Sequence, residues 1–183
     1  MKILFKQFDY KNDSDWIYNI YSNKKEASSF VSDFYFSTRE EFEKNFLSNI
    51  LNKYYYFNIL KDDNGERLGL IYAHDYKQDS GHIKFSTYIM PQYRQLGVGA
   101  LASLRFVHML FSTLPIHKVY VTVFEGNQIS LTNNLQAGFN REATLKDYIF
   151  LNGRYQDLIY LSISRKQFYK KYKGNPFLNE NTF

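Results

Sequence analysis

From His82 to Phe124 the chain reads strand, turn, helix, strand, and that order leaves few folds open. His82–Met90 (HIKFSTYIM) alternates apolar and polar residues, as a half-buried strand does. An apolar helix follows to about Thr113, and Lys118–Phe124 (KVYVTVF) alternates again. Two strands joined this way pair in parallel through a right-handed crossover. The joint itself, Pro91–Ala100 (PQYRQLGVGA), holds an arginine and two glycines one residue apart. The first turn of any helix offers backbone N–H groups without partners and the positive end of the helix dipole. Gly97 and Gly99 carry no side chains there, so an anion can approach the backbone closely. Arg94 adds a forked donor suited to phosphate oxygens. A pyrophosphate suits such a corner, although a tight strand-to-helix turn that binds nothing would use the same residues. No Lys-Ser/Thr follows the second glycine, so the turn is not a Walker loop, and without a third glycine it is not a dinucleotide fingerprint.

The remaining segments supply a mostly antiparallel sheet. Ile3–Phe8 reads as a first strand, and the helix after it has Asp13 or Ser14 as its expected cap, with Trp16, Ile17, Ile20 and Tyr21 at helical spacing. A second helix should start near Thr38, where Thr38 and Glu41 fit a capping box and Phe42, Phe46, Leu47, Ile50 and Leu51 form one apolar stripe. Tyr54–Leu60, Arg67–His74 and His82–Met90 form a three-strand meander, turned at Asn64-Gly65 and Ser80-Gly81. A short helix over Ile129–Gln136 should stop at Gly138. Two strands follow, near Phe139–Phe150 and Arg154–Ser164, with Asn152-Gly153 between them, then a helix over Arg165–Tyr172. The expected fold class is α+β: a mixed, mostly antiparallel twisted sheet flanked by helices. One domain over residues 1–172 and a mobile tail over 173–183 are expected.

Composition narrows the function. The chain of 183 residues has no cysteine, which rules out disulfides, thiolate metal sites and a cysteine nucleophile. The most apolar stretch, Leu96–Leu114, is broken by Arg105 and His108, a poor membrane span. A soluble, cytoplasmic protein without a membrane partner is expected. The net charge of +5 is spread along the chain. Its one basic cluster, Arg165, Lys166, Lys170, Lys171 and Lys173, reads as a solvated helix face rather than a nucleic-acid stripe. His74, Asp75, Asp79 and His82 are spaced too loosely for a metal site.

Four blocks in register carry a resemblance. Arg94-x-x-Gly97-x-Gly99 follows a strand ending in Met90-Pro91. Downstream stand Asn127-x-x-Ser130, Gly138-Phe139 and Asn152-Gly153-x-Tyr155-x-Asp157. Together they resemble the GNAT acyl-CoA N-acyltransferases, in the branch with ribosomal-protein and polyamine acetyltransferases. The resemblance is good over about residues 67 to 165; the first sixty residues match only in their order of elements. It implies acetyl-CoA as co-substrate, a primary amine as acceptor and no metal. The pyrophosphate would sit on the amides of Gln95, Leu96, Gly97, Val98, Gly99 and Ala100, with Arg94 beside them. The pantetheine would run along the strand end at Thr87, Tyr88, Ile89 and Met90 like an added strand. The thioester would lie where the parallel strands part, near Tyr88 and Phe124, with a backbone N–H near Ile89 facing its oxyanion. Asn127 would hold the pantetheine arm and Ser130 would protonate the leaving thiol. Both residues also read as ordinary helix caps. A homodimer is left open.

The chain departs from the family pattern where acid and base usually stand. Asn134 replaces the common tyrosine of the short helix, and Thr122 and Lys84 occupy positions that often carry glutamate. Glu125, Asp75, Asp79, His74 and His82 remain as bases, with Glu125 closest in sequence to the gap. A peptide α-amine, pKa about 7.7–8.0, must give up about 1 kcal/mol to be neutral at pH 7, whereas an alkyl amine near 10.4 needs about 4–5. A chain with no evident base is better matched to the former. The alternative is a non-catalytic acyl-CoA-binding module.

Overall fold

The computed structural model describes residues 2–23, 26, 36–151 and 153–178. The Leu47, Ile50 and Leu51 side chains of the expected stripe, Asn152 of the last turn and residues 179–183 of the expected tail lie outside the described residues. The order is β1 (Leu4–Gln7), α1 (Tyr10–Ser22), α2 (Arg39–Lys53), β2 (Tyr54–Lys61), β3 (Arg67–Lys77) and β4 (His82–Ile89). Then come a short turn of 3-10 helix (Pro91–Tyr93), α3 (Val98–Thr113), β5 (Lys118–Phe124), α4 (Gln128–Gln136), β6 (Asn140–Leu151), β7 (Arg154–Ser164) and α5 (Arg165–Lys171). The strands form one sheet in the order β1-β2-β3-β4-β5-β7-β6. All pairings are antiparallel except β4 with β5, the crossover strands of α3. The expected α+β class and mixed sheet are therefore found.

Each face of the sheet is covered. On one, Val98, Ala102, Phe106 and Leu110 of α3, Leu131 of α4 and Phe168 of α5 pack on strand residues such as Ile83, Phe85, Val119 and Val121. On the other, Ile17, Ile20 and Tyr21 of α1 and Phe42 and Phe46 of α2 pack on Phe57, Ile59, Leu70, Tyr72 and Tyr88. Alternation along β4 feeds both cores, so α3 reads its odd residues and α1 and α2 its even ones. Leu178, in the expected tail, packs against the first core. Among the described residues no helix is long and apolar enough to cross a membrane.

The first helix begins earlier than its sequence suggested. Its N-cap is Asp9, whose side chain accepts the Lys11 N–H, and not Asp13 or Ser14. Asp13 is instead buried, and Oδ1 takes Nη2 of Arg67 on β3 at 3.0 Å. At α2 the Thr38 hydroxyl accepts the Glu41 N–H as expected, but the Glu41 carboxylate returns to Ser37 rather than to Thr38.

Candidate active site

The site begins where the sheet divides. β4 and β5 pair only through His82↔Lys118, Ile83↔Val119 and Lys84↔Tyr120. Beyond that, β4 stays with β3 as far as Ile89 and β5 stays with β7 as far as Phe124. The strands part from Phe85 and Val121 onward, earlier than the strand ends where parting was expected, and a cavity of about 830 Å³ fills the gap. It runs from the mouth of α3 to the start of α4, between Phe85–Ile89 and Val121–Phe124.

The parting leaves β4 with a free backbone edge. Met90 donates its N–H to Leu68 of β3, so by alternation the groups of Phe85 and Thr87 face the gap. The Tyr88 carbonyl lies so close to Gly69 that a Cβ on Gly69 would sit 2.1 Å from it. Across a trans peptide the next N–H points the opposite way, so the Ile89 N–H is directed away from β3, toward the cavity. This geometry suits an extended ligand arm beside β4 and a donor at its end.

Both glycines of the expected turn stand at the mouth of α3. Gly97 caps the helix at φ 78°, a left-handed conformation, with open space where a side chain would stand. Gly99 has a different cause: a Cβ there would meet Cγ1 of Ile89 at 3.2 Å, so its lack of a side chain lets α3 close on β4. The first intrahelical bond runs from Leu101 to the Gly97 carbonyl, which leaves the N–H groups of Val98, Gly99 and Ala100 without intrahelical acceptors.

The remaining expected residues divide. Tyr88, Ile89, Arg94, Gln95, Gly97, Gly99, Ala100, Asn127 and Ser130 line the cavity. Asn127 accepts the Ser130 N–H at 3.1 Å and so caps α4. Met90, Leu96, Val98 and Glu125 are not on its wall: Met90 packs toward α1 and α2, Val98 is core, Leu96 faces solvent, and Glu125 is exposed past the end of β5. Arg94 does not present its whole fork. Its Nε donates to the Ile89 carbonyl at 2.9 Å and its Nη2 to Glu26 at 2.6 Å, which ties the turn to the strand end. Glu26 also accepts the Tyr88 hydroxyl at 2.8 Å, and burial, with that bond, raises the Tyr88 pKa above the ordinary phenol value. Ser130 is held by Asn134, whose Nδ2 donates to Oγ at 3.3 Å and to the Ser130 carbonyl at 2.8 Å. The hydroxyl proton of Ser130 is thus free to point into the cavity.

Three contributors were missed in the sequence. Gln156 of β7 is buried; its Oε1 accepts the Gly126 N–H and its Nε2 donates to Leu151, which joins the end of β5 to the last hairpin. Ser103 of α3 pairs its hydroxyl at 3.3 Å with that of Thr87, which was already expected beside the ligand arm. Ser86, on the α1 and α2 side, lines the cavity and lies 3.1 Å from Nε2 of His74. Nothing local marks these residues; strand register places Gln156 and Ser86, and the packing of α3 beside β4 places Ser103. Among the described residues no three His, Asp or Glu side chains gather as a metal cluster.

Known proteins match this arrangement. Spermidine N(1)-acetyltransferase of Vibrio cholerae serotype O1 is 25% identical over 153 residues, 81% of this chain and 85% of that protein. Its Escherichia coli K12 counterpart is 26% identical over 109 residues, 60% of this chain, and the match spans 59% of that relative's length. A crystal structure of spermidine N-acetyltransferase from V. cholerae in complex with CoA and spermine superposes with a TM-score of 0.80 at 22% identity, over 91% of this chain and 97% of that one. Residues 2–140 match the family model for the acetyltransferase (GNAT) domain. The parted strands, the glycine turn and this match together show that the chain belongs to the GNAT acetyltransferase family.

Proposed function

We propose that the protein, with residues 1–172 as one catalytic domain, is an N-acetyltransferase that moves the acetyl group of acetyl-CoA to a primary amine in a ternary complex. The observation that carries this is the cavity between β4 and β5, which has bare helix amides at one end and a free strand edge along its wall. The amides of residues 95–100 suit a pyrophosphate, and the edge of Thr87 and Ile89 suits the amide-bearing arm of a pantetheine. Acetyl-CoA supplies an activated acyl group. The Ile89 N–H is directed to where negative charge grows on the carbonyl oxygen, a use of fixed dipoles worth about 3–4 kcal/mol per donor. Ser130, positioned by Asn134, gives its proton to the departing sulfur and regains one from solvent. Acceptor amines enter from the α1 and α2 face, where Ser86 and Tyr88 open onto the gap. A cytoplasmic location goes with this reading.

The relatives named for spermidine make a polyamine one acceptor to test; the amine pKa argument makes a peptide N-terminus the other. The test is thiol release from acetyl-CoA over peptides, spermidine, spermine and amino sugars. Turnover with at least one amine supports the proposal. Micromolar acetyl-CoA binding with no turnover on any amine would favour the non-catalytic module, which the replacement of the usual tyrosine by Asn134 suggests.

A further inference from the structure

We infer that Ser86 and His74 form the route by which the acceptor amine loses its proton, with His74 as the terminal acceptor. The inference rests on the acetyltransferase reading above and supplies the base that the family positions Lys84 and Thr122 cannot. Three observations carry it. Ser86 lines the cavity, on the face where the amine would enter. His74 Nε2 lies 3.1 Å behind it, diagonal to it across the β3–β4 ladder, where Tyr72 opposes Ser86 and His74 opposes Lys84. On its far side His74 Nδ1 stands 3.6 Å from Oδ2 of Asp75, which Lys84 Nζ holds at 3.1 Å. Asp75 favours the tautomer with the proton on Nδ1, so the Nε2 lone pair faces the serine. The carboxylate is half exposed and leads to solvent.

The other bases expected from the sequence fail on position. Glu125 is exposed and absent from the cavity wall. His82 lies at the opposite end of β4, paired with Lys118 and packed on Tyr120. Asp79 is in the turn between β3 and β4.

The groups facing His74 set its charge. They are the Tyr54 ring from β2, Tyr72 and Asp75 on β3, and Ser86 and Lys84 from β4. Burial lowers its pKa below the ordinary imidazole value; Asp75 opposes this and Lys84 adds to it. His74 is accordingly neutral at pH 7 and able to accept. The bound ammonium passes one proton to Ser86 Oγ while the serine's own proton passes to Nε2, and the freed lone pair then bonds to the carbonyl carbon; the nitrogen's second proton leaves to solvent as the tetrahedral species collapses. The C–S bond breaks with its electron pair on sulfur, which takes a proton from Ser130. His74 then returns its proton to solvent past Asp75.

The experiment compares wild type, His74→Gln, Ser86→Ala and Asp75→Asn in thiol release against pH, with acetyl-CoA binding measured on each. Wild-type kcat/KM is expected to rise through a pKa below about 6.5 and then level. In H74Q and S86A it should fall by about 100-fold at pH 7. It should also keep rising with pH toward the amine's own pKa, because only amine that is already neutral can react. Acetyl-CoA affinity should stay within about twofold of wild type in each. A second readout needs no substrate. The imidazole resonance missing from H74Q should titrate below the ordinary imidazole value by NMR. H74Q and S86A with wild-type rates and an unmoved acid limb would overturn the inference while leaving the acetyltransferase reading intact. A wild type inactive on every amine would overturn both.

Discussion

Gly69 on β3 ties the shape of the sheet to the chemistry proposed for its gap. A Cβ there would lie 2.1 Å from the Tyr88 oxygen and 3.1 Å from the Tyr88 carbonyl carbon and the Ile89 Cα, all backbone atoms. Ordinary contact begins near 3.4 Å, so Gly69→Ala must move the Tyr88–Ile89 peptide by about 1.3 Å, the difference between 3.4 and 2.1. Strain of this kind costs about 1–3 kcal/mol, or about 2–12 °C in Tm for a chain of this size. The same peptide carries the Ile89 N–H. Displacing a group that faces the reacting carbonyl by about 1 Å costs about 100-fold in rate. Gly65→Ala is the control. Gly65 has φ 85° with nothing within 4 Å of a Cβ, so alanine there costs about 1–2 kcal/mol of backbone strain in a turn that is not part of the cavity wall. Thermal melting and thiol release on both variants separate the effects. G69A should lose stability and most of its kcat; G65A should lose stability alone. G69A with wild-type kcat would refute the assignment of that peptide to the site.

Other consequences are direct. Gln156→Ala strands the Gly126 N–H and the Leu151 carbonyl and should cost about 2–4 kcal/mol in urea unfolding. Asp13→Ala, which removes the buried partner of Arg67, should cost about 2 kcal/mol by the same measurement. Glu142 has its pKa lowered by the Ser162 hydroxyl and then by Lys118. A depressed folded pKa contributes stability above the unfolded value of about 4.3 that is lost as pH falls through the folded one. The Tm advantage of wild type over Glu142→Gln should therefore be present at pH 7 and shrink as pH falls below about 4. Gly97→Val fills the open space at the α3 mouth and strains a φ of 78°; calorimetry should show acetyl-CoA affinity falling by at least about 100-fold, whereas Arg94→Ala, already bonded to Ile89 and Glu26, should cost about 10-fold or less.

What the sequence disclosed was what local pattern determines. Strict alternation in Lys118–Phe124 and the Asn-Gly and Ser-Gly turns placed the strands within a few residues. The spacing of Gly97 and Gly99 marked the helix mouth, although only the packed structure separates a glycine that opens the cavity from one that admits Ile89. What stayed hidden was long in sequence and short in space. Asp13 looked like a cap because its partner Arg67 is 54 positions away. Arg94 looked like a phosphate clamp because its partner Glu26 is 68 away. Ser86 carries no motif at all; it meets His74 only through the β3–β4 register, and it reaches the cavity only because β4 leaves β5 after Lys84.

The central claim is that the amides at the opening of α3 hold the diphosphate of the acyl donor. Titrating isotope-labelled protein with CoA and following every backbone amide by two-dimensional NMR tests it most directly. The account predicts the largest shifts at residues 95–100, with Thr87 and Ile89 next and the β1–β2 edge unmoved. Saturable binding that leaves residues 95–100 unshifted while other amides move would contradict it.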